Sequence, residues 1–182
     1  MIGALILTGG AASRMGRDKA ELDVCGRRAV DRLLQLCFVS GATAVFTIGG
    51  KGYGYLHIDD PVPLGGPVGG IIAGAGTLRR RGCKTALVLA VDAPTLQSQD
   101  LKPLFDLAEG AAYEGYPFPF VAPLGGLPAD APADWAVGRL LDAWGVTRLP
   151  APVHAIQRLR GANTPEEFEA LVEAFRGLEG TG

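Results

Sequence analysis

The stretch LILTGGAASRMGRDKAEL, residues 5–22, runs an apolar segment into Gly9 and Gly10 and then presents Arg14 and Lys19. Asp92 follows a second apolar run, ALVLAV at 86–91. Asp59 and Asp60 follow YLHI at 55–58 and precede the glycines of PLGGPVGG. Cations, bare backbone and carboxylates together suit a magnesium nucleotide. Amides and cations would meet phosphates, a carboxylate the metal, and glycine backbone the base and ribose. The spacing is not the phosphate loop GxxxxGK[ST], because Lys19 follows Asp18 and precedes Ala20. Nor is it GxGxxG, because Gly9, Gly10 and Gly16 are wrongly spaced. The sequence offers no Ser–His–Asp arrangement, and His57 and His154 have no obvious partners. That pattern gives no support to nucleophilic catalysis by a side chain.

These residues need elements that bring them to one edge. Residues 2–7, IGALIL, are apolar without alternation, as in a strand buried on both faces. Residues 27–39 place Val30, Leu33, Leu34, Cys37 and Phe38 on one helical face, and Gly41 stops that helix. Strands are expected at 43–48, 55–58 and 84–91. Gly66-Pro67 opens a helix that ends in Arg79, Arg80, Arg81 and Gly82, where the cations complement the helix dipole. Ser98 is expected to cap a helix through about 109, and 118–124 to hold a strand within a Pro- and Gly-rich region. A helix at 133–144 is followed by strand-like pieces near 146–149 and 153–159. The last helix is capped by Thr164, with Pro165 at its first position and Glu167 completing a capping box. Alternating strands and helices predict an α/β fold: a three-layer, Rossmann-like, mostly parallel sheet with helices on both faces. In such sheets ligands bind beyond the carboxyl ends of the strands, where Lys19 and Asp92 fall.

The 182 residues suit a single domain, 1–182, with a nucleotide-binding half at 1–97 and a second-substrate half at 98–182. Apolar residues make up 48% and charged residues 20%, with a net charge of −2, which is ordinary globular composition. No basic arm or stripe points to nucleic acid. No apolar run is long enough to span a membrane, and the chain begins on a strand rather than a secretory leader, so a cytoplasmic protein is expected. Cys25, Cys37 and Cys83 fit no metal or CxxC spacing and read as free thiols.

LTGGAASRMGRDK is similar to the nucleotidyltransferase signature LxGGxxxRMGxDK, and the chain resembles the molybdenum cofactor guanylyltransferase (MobA) family. Three further segments resemble that family in the same order. GPVGGI at 66–71 is similar to GPLxGI, AVDAPTL at 90–96 to PCDxPxL, and ANTPEEF at 162–168 to NxNTPEDL. The resemblance spans residues 5 to 168 and implies a fold of the nucleotide-diphospho-sugar transferase type.

The resemblance implies transfer of GMP from GTP to molybdopterin with release of pyrophosphate. It further implies Leu7, Thr8, Gly9 and Gly10 as main chain against the nucleoside, with Gly66 and Gly70 from the second glycine segment. Arg14 and Lys19 would hold the triphosphate, Asp59 would contact the nucleoside, Asp92 would bind Mg²⁺, and Asn163 would lie beside the second substrate. Asp59 is preferred to Asp60 on its spacing to Pro67. Arg139, Arg148, Arg158 and Arg160 are cations available to a pterin phosphate, and transient contacts with molybdopterin-delivery or molybdoenzyme partners follow from the same resemblance. The chain departs from the family in five places. Thr8 replaces an alanine, Gly50 an asparagine near the guanine, Gly161 the first asparagine of NxNTP and Val91 the cysteine before the metal aspartate, and the segment between the second strand and Asp59 is short. The alternatives are a nucleotidyltransferase using CTP or a sugar phosphate, and a non-catalytic GTP-binding module.

Overall fold

The computed structural model describes residues 1–9, 17–61 and 66–179. Its centre is a seven-stranded sheet built from β1 (Ile2–Leu7), β4 (Ala42–Ile48), β5 (His57–Ile58), β6 (Thr85–Ala90), β7 (Ala111–Tyr113), β8 (Phe120–Pro123) and β9 (Thr147–Leu149). The strand order is β5-β4-β1-β6-β8-β7-β9, so the sheet continues through both halves of the chain. Only β8 runs against its neighbours β6 and β7; the other pairings are parallel. Two short strands, β2 (Asp23–Val24) and β3 (Arg27–Arg28), form a separate antiparallel ribbon.

The unalternating apolar strands explain the layers. Ala4 and Ile6 of β1 and Leu87 and Leu89 of β6 point into one core, while Leu5, Leu7, Val88 and Ala90 point into the other. A central strand with both faces apolar requires cover on both sides. Helices α1 (Ala29–Val39) and α6 (Pro165–Glu179) supply residues to the first core, and α2 (Pro67–Arg80) and α4 (Val137–Trp144) to the second. Each fully buried Leu or Ile contributes about 1.5–3 kcal/mol of transfer free energy. The α/β architecture with helices on both faces is the one the alternation of patterns predicts.

Register aligns the strand ends. Leu7 pairs with Ile48 on one side and with Ala90 on the other, so β1, β4 and β6 finish side by side. Thr8, Gly49 and Val91 therefore emerge from one edge.

Several elements differ from the sequence expectation. The helix expected from Ser98 to about 109 is only α3 (Ser98–Leu101), continuing as a 3-10 turn at Lys102–Phe105. Pro103 lacks the amide that a longer α-helix would use. Gln97, not Ser98, is its cap, in a reciprocal capping box with Asp100. The piece at 153–159 is a 3-10 turn, Val153–Ala155, and helix α5 (Ile156–Arg160), not a strand. It is drawn inward by Arg158, which forms a two-bonded pair with fully buried Asp100 at 2.7 and 2.6 Å. The helix expected at 133–144 starts at Val137, and of the strand expected at 55–58 only His57–Ile58 pairs. The α6 capping box forms as expected: the Glu167 amide donates to Thr164 Oγ1, and Glu167 Oε2 accepts from the Thr164 amide, both at 3.2 Å. No helix among the described residues is long and apolar enough to cross a membrane.

Candidate active site

The first wall of the site is backbone. The Thr8 and Gly9 amides both donate to the Ile48 carbonyl, at 2.9 and 3.1 Å, turning the chain as it leaves β1. The Thr8 hydroxyl donates to the Gly49 carbonyl at 2.6 Å and approaches that of Ile48 at 3.1 Å. Leu7 is buried as the last residue of β1, and its carbonyl accepts from the Val91 amide at 3.0 Å, tying the ends of β1 and β6 together.

Asp60 lies against three glycines. A Cβ at Gly9 or Gly49 would stand 3.2 or 3.0 Å from its Oδ2, and one at Gly70 would stand 3.0 Å from its Oδ1. Side chains at those positions would force the carboxylate to shift. Partial burial raises the Asp60 pKa above the ordinary carboxylate value. Asp59 points the other way: its side chain is 99% exposed and sits 3.3 Å from His57 Nε2. Of the two adjacent aspartates, Asp60 faces the ends of β1 and β4. Gly70 is also packed on Ile48, 2.6 Å from where its Cβ would be, and Gly66 is the exposed cap residue of α2.

The second wall joins distant parts of the chain. Lys19 begins a 3-10 turn, Lys19–Glu21, capped by Asp18, whose Oδ1 accepts from the Ala20 amide at 3.0 Å. Lys19 Nζ donates to the Ala162 carbonyl at 2.8 Å and reaches Asn163 Oδ1 at 3.3 Å. Asp92 is half-buried just beyond β6. Burial raises its pKa, and the Lys19 charge partly opposes that rise. The Ala162 amide donates to the Asp92 carbonyl at 2.8 Å. Lys19, Asp92 and the segment 161–163 thus form one cluster.

Gly161 is what this cluster requires. Its φ of 64° and ψ of −165° lie in a region almost confined to glycine. An added Cβ would stand 2.7 Å from the Asp92 carbonyl oxygen and 3.3 Å from its Cγ. The departure from the family's asparagine is therefore a packing demand. Gly50 is similar: at φ 65°, its Cβ would stand 2.7 Å from the Tyr53 hydroxyl and 3.3 Å from Thr8 Oγ1. Tyr53 occupies the space that a side chain at position 50 would enter.

Three of the four arginines considered for a pterin phosphate have other contacts. Arg158 holds Asp100, Arg148 holds Asp142 and the Gly138 carbonyl, and the Arg139 guanidinium lies 4.0 Å over the Trp135 ring. Arg160 is exposed and lines a groove with Gln157, Gly161, Asn163 and Glu167. Gly10 and Arg14 lie outside the described residues. Among the described residues no three His, Cys, Asp or Glu gather into a metal cage. Mg²⁺ commonly takes one or two carboxylates and completes its shell with substrate phosphates and water, and Asp92 fits that use. Sequence reasoning missed Tyr53 and Asp18. The first lies in the glycine-rich GKGYGY, which has no periodicity to read, while the capping preference of aspartate before a turn was a usable signal for the second.

Residues 4–124 match the model of the family described as MobA-like NTP transferase domain. A molybdenum cofactor guanylyltransferase from Xanthomonas euvesicatoria pv. vesicatoria is 30% identical over 186 residues, covering 92% of this chain and 93% of that one. A nucleotidyl transferase of Methanothermobacter superposes with a TM-score of 0.72 at 17% identity, covering 98% and 99% of the two chains. Molybdopterin-guanine dinucleotide biosynthesis protein A of Archaeoglobus fulgidus superposes with a TM-score of 0.64 at 19% identity, covering 96% and 98%.

Proposed function

Because the chain belongs to the MobA-like NTP transferase family, we propose that the nucleotidyl transfer it performs moves GMP from GTP to molybdopterin and releases pyrophosphate. The observation that carries this reading is the contact of Lys19 with Ala162 and Asn163 beside Asp92, at the ends of β1 and β6. The cation proposed for the nucleotide there meets a polar residue from the C-terminal part of the chain, an arrangement that suits a reaction of two substrates.

The terminal phosphate of molybdopterin brings its own anionic oxygen, so the protein need supply no base. That oxygen bonds to the α-phosphorus of GTP, the α–β bridging P–O bond breaks, and pyrophosphate leaves with the bond's electrons. The protein's task is to bring anions together and to meet the charge that develops. Lys19, with Arg14, holds the triphosphate and balances charge on the departing pyrophosphate. Asp92 would hold Mg²⁺, which would polarise the phosphoryl oxygens. The main chain of Leu7, Thr8, Gly9 and Gly10 packs against the nucleoside, with Gly66 and Gly70 behind it. Asp60, turned towards the glycines, contacts the nucleoside in preference to Asp59. Asn163 orients the second substrate. The setting is cytosolic, with transient contacts to proteins that deliver molybdopterin or receive the finished cofactor.

The test is pyrophosphate release by purified protein with Mg-GTP and molybdopterin. Lys19→Ala and Asp92→Ala are each expected to lower the rate by roughly 10²–10³. Full activity in both variants refutes the assignment. Faster turnover with Mg-CTP, or with a sugar phosphate as acceptor, would replace the substrates while keeping the chemistry. GTP binding without turnover would leave only a binding module.

A further inference from the structure

The loop that follows β4 is tied to the turn that presents Lys19. Asp18 uses one carboxylate oxygen to cap that turn, and its other oxygen accepts from the Tyr53 hydroxyl at 2.9 Å. Lys51 adds a second tie: its Nζ pairs with Glu21 Oε2 at 2.8 Å, at the far end of the same turn, and lies 4.0 Å from Asp18 Oδ2. The Lys51 ammonium also sits 5.7 Å over the Tyr53 ring. The loop itself is anchored to the start of α1, where Arg28 donates to the Tyr53 carbonyl at 3.3 Å and the Tyr55 hydroxyl to Asp31 at 2.7 Å. Tyr53 is 9% exposed and holds a positive φ of 52°, uncommon for an aromatic residue. Gly50 leaves room for its hydroxyl, 2.7 Å from where a Cβ would be.

We propose that Tyr53 is a positioning residue for Lys19, acting through Asp18 so that the ammonium meets the phosphates in a fixed place. The proposal rests on the reading of Lys19 as the phosphate-binding cation. Burial and the neighbouring Asp18 carboxylate push the Tyr53 pKa up to about 12, so its hydroxyl stays a donor throughout the neutral range. One end of the clamp is thus fixed to the rigid start of α1 and the other to the residue preceding Lys19.

The test is Tyr53→Phe, made in the parent and in a Lys19→Ala background. In the parent, kcat for pyrophosphate release is expected to fall about tenfold, as when one hydrogen bond to a charged group is lost, with a smaller change in the KM for nucleotide. In the Lys19→Ala background the same change should cost nothing further, since effects acting through one group do not add. An unchanged kcat, or an equal loss in both backgrounds, overturns the proposal. A readout independent of turnover is amide hydrogen exchange at Ala20 and Glu21, expected to speed up in Tyr53→Phe. Unchanged exchange also overturns the clamp, whereas absent turnover in the parent protein counts against the transfer reading alone. If Tyr53→Phe fails to fold, Lys51→Ala, which removes the exposed tie to Glu21, goes through the same comparison: a loss confined to the parent background supports the clamp, and no loss or an equal loss overturns it.

Discussion

Restoring the asparagine that the family motif carries at position 161 should damage this protein. The Gly161 backbone sits at φ 64° and ψ −165°. Asparagine is tolerated in the left-handed helical region, where ψ is near +45°, but not where glycine alone is common. Forcing it there costs about 1–3 kcal/mol. The new Cβ would stand 2.7 Å from the Asp92 carbonyl oxygen, a backbone atom with little room to move. Any retreat stretches the Ala162 amide bond to that same oxygen, now 2.8 Å, at a further cost of about 0.5–1.5 kcal/mol. The sum is about 3 kcal/mol, which for a chain of this size lowers the melting temperature by roughly 6–12 °C. Gly161→Asn should also slow turnover, because the Ala162 and Asn163 contacts of Lys19 ride on this backbone. Thermal denaturation and pyrophosphate release measured on the same preparation test both parts. A variant as stable as the parent, or more active, would refute the packing account and restore position 161 to the motif.

Asp92→Asn should slow transfer by roughly 10²–10³ yet raise the melting temperature at pH 7. The folded-state pKa of Asp92 is raised, so this group's stabilisation is present below the unfolded value and is lost as pH rises through the folded one. At pH 7 its charge is a cost that asparagine removes, and the gain over the parent should vanish towards pH 3; equal stability of the two proteins at pH 7 would contradict the burial argument. Arg158→Met should cost about 3–5 kcal/mol in urea denaturation by depriving fully buried Asp100 of its guanidinium partner. Adding Asp100→Leu should recover much of that loss, and a double variant no more stable than the single one would count against the unpaired-charge explanation.

Local pattern carried much of the reading. The unalternating IGALIL and ALVLAV became β1 and β6 because a central parallel strand is apolar on both faces, a property six residues display unaided. The start of α6 was legible for the same kind of reason: Thr164, Pro165 and Glu167 act within one turn. The glycine–arginine–lysine spacing before residue 20 and Asp92 after β6 were the candidates the sequence offered for chemistry, and Asp92 stands next to the strand that positions it.

What the sequence left open depended on contacts between distant residues. QRLR was expected to be strand-like, and it is a helix in which Arg158 finds Asp100, 58 positions earlier in the chain. The choice between Asp59 and Asp60 depends on which carboxylate faces Gly9, Gly49 and Gly70, and those glycines meet only when β1, β4 and α2 pack. Gly50 and Gly161 look like lost side chains in a linear motif; in the fold they are spaces already filled by Tyr53 and the Asp92 backbone. By itself the sequence determined the central strands, the capped last helix and the kinds of residue offered near the sheet's edge, because propensity and periodicity act over a few residues. Only the tertiary structure decided which of those residues touch, because Lys19 meets Ala162 and Asn163 across more than 140 residues of chain, a contact made when the two halves share one sheet.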